Sequence, residues 1–260
     1  MSEPNNTDRF TGLADIYADH RPTYPSDVIT ALADQARTSP TSRTAIDIGC
    51  GTGISTMALA QALPDWQVLA VEPNTDMLDK AKATSTSQSN IEFIQASAEA
   101  LPGDTSSAGL ILAAQAMHWF DHAAFFAEAA RTLEQGGTLA ILYNNRQNAV
   151  SAVLRDIEGY LEAIADGSYN RDYRKRDIPA MLDDLDGFER MQRVRKIWLQ
   201  PTSSDELVNY FMSRSMLQPL AKKVGLSKIR QRIGDIADAH TRSGMIDLPF
   251  ATELDMATRI

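Results

Sequence analysis

Two kinds of apolar pattern alternate through the first 143 residues of this chain: short continuous runs, and runs whose apolar positions recur at helical spacing. Residues 44–48 are a short run ending in a glycine cluster, and residues 54–63 read as a helix stopped by Pro64. Residues 67–71 are the next strand. Asn74 is placed to cap a following helix that carries Met77, Leu78 and Ala81 on one face. After a Ser/Thr-rich loop at 84–90 come strands at 91–95 and 110–114. A helix is expected over 122–133, stopped by Gly136-Gly137, and then a strand at 138–143. Near-continuous apolar strands separated by helices imply a parallel sheet covered on both faces.

The remainder is less regular. A helix is expected over 149–164, followed by a polar loop over 165–177 that holds Arg171, Arg174, Lys175 and Arg176. A strand is expected over 191–199. Ser203 and Glu206 stand at capping-box spacing and start another helix; a further helix covers 227–241. Phe250, Thr252, Leu254 and Met256 alternate with Ala251, Glu253, Asp255 and Ala257, the period of two that marks a closing strand.

Composition narrows the function classes. At 260 residues, 43% hydrophobic and 23% charged, the chain has the make-up of an ordinary soluble globular protein of one to two domains. Its net charge of −9 is uneven: residues 1–148 carry 8 basic and 17 acidic side chains, whereas 149–260 carry 17 of each. Such a balance argues against broad phosphate-backbone binding. No apolar run approaches the roughly 20 residues of a membrane span, and the N-terminus lacks a signal pattern, so the expected location is cytoplasmic. One cysteine, Cys50, permits neither an internal disulfide nor a multi-cysteine metal site. His118 and His122 have helical spacing without a metalloprotease motif around them, and no metal is expected.

The most informative stretch is Ala45-Ile46-Asp47-Ile48-Gly49-Cys50-Gly51-Thr52-Gly53. Glycines at alternate positions between a strand and a helix let the backbone approach a ligand closely. Glu72 ends the next strand, where an acidic side chain can accept hydrogen bonds from both hydroxyls of a ribose. The dinucleotide fingerprint GxGxxG is absent, because Ile54 and Thr56 stand where its third glycine would fall. The spacing GxGxG, with Asp47 before it, resembles motif I of the class I S-adenosylmethionine-dependent methyltransferases.

Further segments carry the same resemblance. Residues 69–78 are similar to the family's second-strand segment, and Ala96-Ser97-Ala98-Glu99-Ala100-Leu101-Pro102 to the loop that flanks the adenine. Gln115-Ala116-Met117-His118-Trp119-Phe120 resembles the segment after the fourth strand. Phe10, Tyr17, Arg21-Pro22 and Tyr24-Pro25 resemble the N-terminus of a small-molecule subgroup that includes relatives of trans-aconitate methyltransferase. Residues 131–139 match the family's turn into the fifth strand, except that Gln135 replaces a usual proline.

The resemblance implies an α/β, Rossmann-like, doubly wound fold: a mostly parallel seven-stranded sheet with an antiparallel last strand and a helical cap insertion. The expected organisation is a lid segment and cofactor-binding core over 1–148, the cap over 149–189, and the rest of the sheet over 190–260. The implied cofactor is S-adenosyl-L-methionine, with Tyr17, Arg21, Asp47, Gly49, Cys50, Gly51, Gly53, Glu72, Pro73, Met77, Ala98, Glu99 and Gln115 around it. Arg21, His118 and Trp119 are the candidate acceptor residues. His118 is the candidate base or orienter, against the plainer alternative of a packing role beside Trp119. The implied reaction is in-line methyl transfer to a small molecule, leaving carboxylate, hydroxyl and amine acceptors open. Its rivals are a nucleic-acid methyltransferase, supported by the basic runs at 171–176 and 190–196, and a non-catalytic S-adenosylmethionine-binding protein. No oligomeric state follows from the pattern.

Overall fold

The structure, a computed structural model, describes residues 12, 14–38, 41–165, 177–191 and 193–260. Helices α1 (Ala14–His20) and α2 (Ser26–Ala36) lead into the alternation β1 (Thr44–Ile48), α3 (Ile54–Ala62), β2 (Gln67–Val71), α4 (Thr75–Thr84) and β3 (Ile91–Ile94). It continues as β4 (Ala108–Ala114), α5 (His122–Thr132) and β5 (Leu133–Arg146). Then come α6 (Ala152–Ala165), α7 (Ile178–Asp183), β6 (Phe188–Arg190), β7 (Val194–Thr202), α8 (Ser204–Met212), α9 (Gln218–Val224), α10 (Leu226–His240) and β8 (Ile246–Arg259).

These strands form one mixed sheet in the order β3-β2-β1-β4-β5-β8-β6, with β7 also paired to β8. The first five strands are mutually parallel, and β8 runs antiparallel to β5, β6 and β7. Eight strands stand where seven are expected because the sixth is interrupted. β6 and β7 lie end to end along β8: Arg190 pairs with Ala257 and Val194 with Leu254, so the chain advances four positions on one side against three on the other. That one-residue surplus is a bulge, which breaks the ladder without changing the strand order.

Local chemistry sets several of the boundaries. The Asn74 side chain accepts from Met77 N at 3.0 Å and starts α4. Asp121 accepts from Ala124 N at 3.1 Å and starts α5. Ser203 and Glu206 form the full capping box of α8. The Gly136-Gly137 pair acts differently from expectation. α5 already ends at Thr132, and the glycines lie inside β5, where the pairing jumps from Ala108–Leu133 to Leu110–Thr138. Gly136 has φ +80°, and a Cβ on Gly137 would sit 2.8 Å from the Glu134 carbonyl oxygen, so this loop-out requires glycine.

β4 is buried along its whole length. Ile111 and Ala113 face one apolar cluster with Phe125, Ala129, Ile178 and Leu182, whereas Leu110, Leu112 and Ala114 face another with Val28, Leu32, Leu59 and Trp66. β8 is also buried on both faces, so its alternation of residue types does not mark a wet side. Its polar Asp255 is 3% exposed and takes a two-point contact from Arg193, at 2.7 and 2.8 Å. A third cluster joins α6, α8, α9 and α10 to Ile246, Leu248 and Phe250 at the start of β8. This helical layer draws on both 152–165 and 204–240, while α7 packs instead on the sheet. The basic residues 171–176 and Phe10 lie outside the described residues.

Phe250 joins the sheet to the helical layer. It is 1% exposed, stacked on Trp198 at 5.1 Å and met edge-on by Tyr210 at 6.3 Å. Phe250→Ala is expected to lower stability by about 3–5 kcal/mol. Urea denaturation measures this, and a loss under about 1 kcal/mol would contradict the joint.

Candidate active site

A cavity of about 500 Å³ opens at the carboxyl ends of the parallel strands. Its wall includes Ile48 and Gly49 after β1 and Ala114 to Ala116 after β4, with Glu72 after β2 and Asn144 near the end of β5. β1 and β4 are neighbours from which the chain winds in opposite directions, so the cavity lies at the topological switch point.

The glycine loop is held from below. Gly49 N and Cys50 N both donate to the Val71 carbonyl oxygen, at 2.8 and 3.0 Å. Gly49, Gly51 and Gly53 all have left-handed φ, at +68°, +56° and +87°. They serve different ends. A Cβ on Gly49 would meet the Ala116 Cβ at 2.6 Å, so this glycine brings the loop against the segment after β4. A Cβ on Gly51 would meet nothing within 4 Å, because Gly51 faces the cavity. A Cβ on Gly53 would lie 3.3 Å from Ala81, so Gly53 lets the start of α3 approach α4. Gly53 does not line the cavity, contrary to its expected contact role.

Asp47 is likewise behind the wall rather than in it. Fully buried, it accepts from Ser55 Oγ at 2.8 Å and Thr56 Oγ1 at 2.6 Å, tying the end of β1 to the first turn of α3. Glu72 does face the cavity. Its Oε2 accepts from Gly51 N at 3.0 Å and its Oε1 from Asn74 N at 2.9 Å. A carboxylate has about four acceptor sites, so each oxygen keeps capacity for one more donor. Burial raises the Glu72 carboxyl above its ordinary range and the charge of Asp47 adds to this, while the two N–H groups oppose it. The Cys50 thiol is buried and pushed well up, first by desolvation and then by Asp47 and Glu72. It is a packing residue beside two carboxylates, not an activated thiol.

Pro73, Met77, Ala98 and Glu99 complete this side of the cavity. Glu99 Oε1 accepts from Asp121 N at 3.0 Å and so ties the loop after β3 to the start of α5. Gln115 adopts φ +56°, unusual without glycine. Its backbone N–H bonds to Leu142 O at 2.8 Å, and its side-chain amide donates to Asn144 O at 2.9 Å.

The opposite side is aromatic. Tyr17, Tyr24, Trp119, Phe120 and Tyr210 line it, together with Arg21. Arg21 lies over the rings of Tyr17 and Tyr210, at 4.4 and 5.5 Å, and is anchored to Ser213 just after α8. Asn144 donates to Thr23 O at 3.1 Å and so pins the Arg21-to-Pro25 segment to the sheet. The Asn144 side chain is set in turn by Thr252 Oγ1, which donates to its Oδ1 at 2.6 Å and accepts from Trp198 Nε1 at 2.8 Å. Tyr24 and Phe120 belong to segments quoted above for the resemblance. Asn144 and Tyr210 carry no such signal, since Tyr210 reads as part of the apolar face of a helix.

His118, the candidate base or orienter, occupies a short 3-10 turn (Met117–Trp119), its ring tilted against Trp119 at 4.8 Å and near Tyr143 at 6.3 Å, and it is not among the residues lining the cavity. The turn that aims Trp119 inward leaves His118 outside the wall, so a direct role as base is not supported. His122 bonds through Nε2 to Met117 O at 3.1 Å. Among the described residues, no three His, Cys, Asp or Glu are grouped to hold a metal. Among the described residues, no helix is long and apolar enough to cross a membrane. The basic run at 190–196 is matched by acids: Arg190 with Asp183, Arg193 with Asp255 and Glu253, Arg195 with Glu253, and Lys196 with Asp27.

Comparison with known proteins agrees with this geometry. Residues 45–137 match a family model described as a methyltransferase domain. Over 254 residues the chain is 30% identical to an uncharacterised methyltransferase of Mycobacterium tuberculosis, covering 96% of this chain and 95% of the relative. Among solved structures, a protein of Anaeromyxobacter dehalogenans provisionally described as a type II methyltransferase superposes with a TM-score of 0.67 at 22% identity, covering 92% of this chain and 97% of that one. A methyltransferase of Geobacter sulfurreducens, solved with S-adenosylhomocysteine, superposes with a TM-score of 0.56 at 16% identity, covering 97% and 98%. At these identities the structures speak for the fold.

Burial raises the Asp47 carboxyl to about 6, against the pull of the Thr56 and Ser55 hydroxyls. The folded chain therefore holds this proton more tightly than the unfolded chain. The resulting stability is fully present below the ordinary value of 3.8 and is lost as pH rises through about 6. Asp47→Asn removes the titration. Its stability relative to wild type is expected to grow from about pH 4 to about pH 6 and then level off. Urea denaturation across that range checks this; a pH-independent difference would mean that folding does not raise the Asp47 pKa.

Proposed function

The chain belongs to the class I S-adenosylmethionine-dependent methyltransferases, and from that footing we propose that it methylates a small organic molecule held at the aromatic end of the cavity. The observation that carries the reading is the Glu72 carboxylate. It is fixed by one backbone N–H on each oxygen, with acceptor capacity left over at the cavity wall. That arrangement suits the paired hydroxyls of a ribose. Gly51 supports the fit, since its missing Cβ leaves open cavity space beside Glu72. Ala98 and Met77 give apolar surface for a base, and Gly49 to Gly51 suit the amino-acid end.

When bound, S-adenosylmethionine supplies a methyl group activated by a positive sulfonium. The protein's part is then placement and exclusion of water, which can lower a barrier by roughly 7–11 kcal/mol. Tyr17, Arg21 and Tyr24 come from the N-terminal segment that crosses the cavity, and Trp119, Phe120 and Tyr210 from elements behind it. Together they form a wall suited to hold a small acceptor against the cofactor and keep it dry. No base is assigned, and His118 is at most a positioning residue acting through Trp119.

Two features favour a small acceptor over nucleic acid. The cavity, at about 500 Å³, lies within the range of small-molecule sites. The basic run at 190–196 is already engaged with carboxylates, so it offers little uncompensated charge to a phosphate backbone.

Glu72→Ala is expected to weaken S-adenosylmethionine binding about a hundredfold, from two charge-assisted hydrogen bonds at roughly 1.5 kcal/mol each or more. Calorimetry on variant and wild type checks this, with a thermal melt to show that the variant is folded. Unchanged affinity in a folded variant would remove Glu72 from the ribose and with it the main support for the reading.

A further inference from the structure

We propose that the methyl acceptor is a carboxylate and that Arg21 is its anchor, an inference that rests on the small-molecule methyltransferase reading and sharpens it. The edges of the Arg21 guanidinium are unevenly used. Arg21 Nε donates to Ser213 Oγ at 3.0 Å and Nη2 to Ser213 O at 3.3 Å, so the side edge of the fork is used by the protein. Its face lies over the rings of Tyr17 and Tyr210. What remains is the end-on edge, formed by Nη1 and the second N–H of Nη2. That edge matches the two oxygens of a planar carboxylate. Among the described residues Arg21 forms no ion pair, although it lines the cavity. It is a positive charge held in place by neutral groups.

The position of the anchor assigns it to the acceptor rather than to the cofactor. Arg21 is fixed to Ser213 and Tyr210, on and just after α8, which packs in the helical layer. The residues suited to the cofactor come from the glycine loop, the end of β2 and the loop after β3.

The chemistry of the wall points the same way. A hydroxyl or ammonium acceptor must lose a proton before or during transfer; a carboxylate has none to lose. The carboxylates lining the cavity are Glu72 and Glu99, both on the cofactor side and both engaged by backbone N–H groups. His118 stays outside the wall. Burial holds the Tyr24 hydroxyl well above its ordinary range, and so neutral. For a carboxylate the step balances without any of them. One oxygen forms a bond to the methyl carbon as the carbon–sulfur bond breaks, and the electron pair of that bond stays on sulfur. The negative acceptor and positive sulfonium become a neutral ester and a neutral thioether, and no proton is released.

The test uses the full chain saturated with S-adenosylhomocysteine. Benzoate, phenylacetate and cinnamate are titrated by calorimetry, each against its own amide, which has the same shape without the charge. At least one acid is expected to bind ten times or more tightly than its amide. Arg21→Met is expected to abolish that preference while the S-adenosylhomocysteine Kd stays within threefold. Arg21→Lys, which keeps the charge but loses the planar fork, should fall between and guards against a misfolded Met variant. Equal binding of acids and amides, or no saturable binding by any acid, overturns the proposal. So does a loss of S-adenosylhomocysteine affinity as large as the loss of acid affinity, which would give Arg21 to the cofactor. Failure of the wild type to bind S-adenosylhomocysteine at all would instead overturn the methyltransferase reading beneath it.

Discussion

The Glu72 carboxylate takes one hydrogen bond from the glycine loop and another from the residue that caps α4. Three segments, the loop after β1, the end of β2 and the start of α4, thus share one side chain at the bottom of the cavity. Desolvating a carboxylate is costly, and the two N–H groups offset that cost by satisfying one side of each oxygen. The same junction is reinforced from behind, where Gly49 N and Cys50 N hold Val71 O, and Asp47 holds Ser55 and Thr56. Two buried carboxylates therefore brace one loop; Asp47 raises the Glu72 carboxyl, and both raise the thiol between them. The site is electrostatically loaded against further negative charge on its cofactor side, which favours a ligand carrying a positive centre.

Across the cavity the arrangement is reversed. The N-terminal segment reaches over it with no buried residue in α1, tied by Lys80 to Asp15 on the cofactor side and by Arg21 to Ser213 on the other. Asn144 holds its middle through Thr23 O. The first tie is an exposed ion pair, worth about 0–1 kcal/mol, and the others are single side chains. This wall is thus attached at points, whereas the floor is built into the sheet. Acid below and a lone guanidinium above give the cavity two poles, and a methyl transfer between opposite charges fits between them.

What was legible in the chain followed from how local each cause is. Asn74 and Ser203 cap helices through backbone N–H groups three residues away, so the local sequence alone marks those boundaries. Glu72 and the glycines share a strand–loop–helix unit and could be placed by spacing. Tyr210 and Asn144 reach the cavity from far along the chain, through packing of α8 and the end of β5, and nothing near them in sequence announces it. Gly136-Gly137 looked like a helix stop because a glycine pair usually is one; here the glycines serve a loop-out inside β5. The alternation in β8 marks a strand but not its surroundings: strands on both sides and layers above and below bury it, and Arg193 neutralises the acid left inside. His118 and Trp119 share one turn with their rings 4.8 Å apart, and spacing alone does not tell which of them lines the cavity.

The bulged sixth strand and β5 are joined only through β8, which follows both in the chain. A polypeptide emerging from the ribosome therefore completes the β3-to-β5 half of the sheet first. Until β8 arrives, β5 presents a nine-residue edge, Thr138 to Arg146, with no partner, and the helical layer lacks the Ile246-to-Phe250 segment on which it closes. The cofactor floor and the Arg21 segment belong to the early half, whereas Tyr210 and the Ser213 anchor of Arg21 belong to the late one. Synthesis order thus leaves the guanidinium pole unanchored until α8 arrives, and an exposed apolar strand edge is the hazard of that interval.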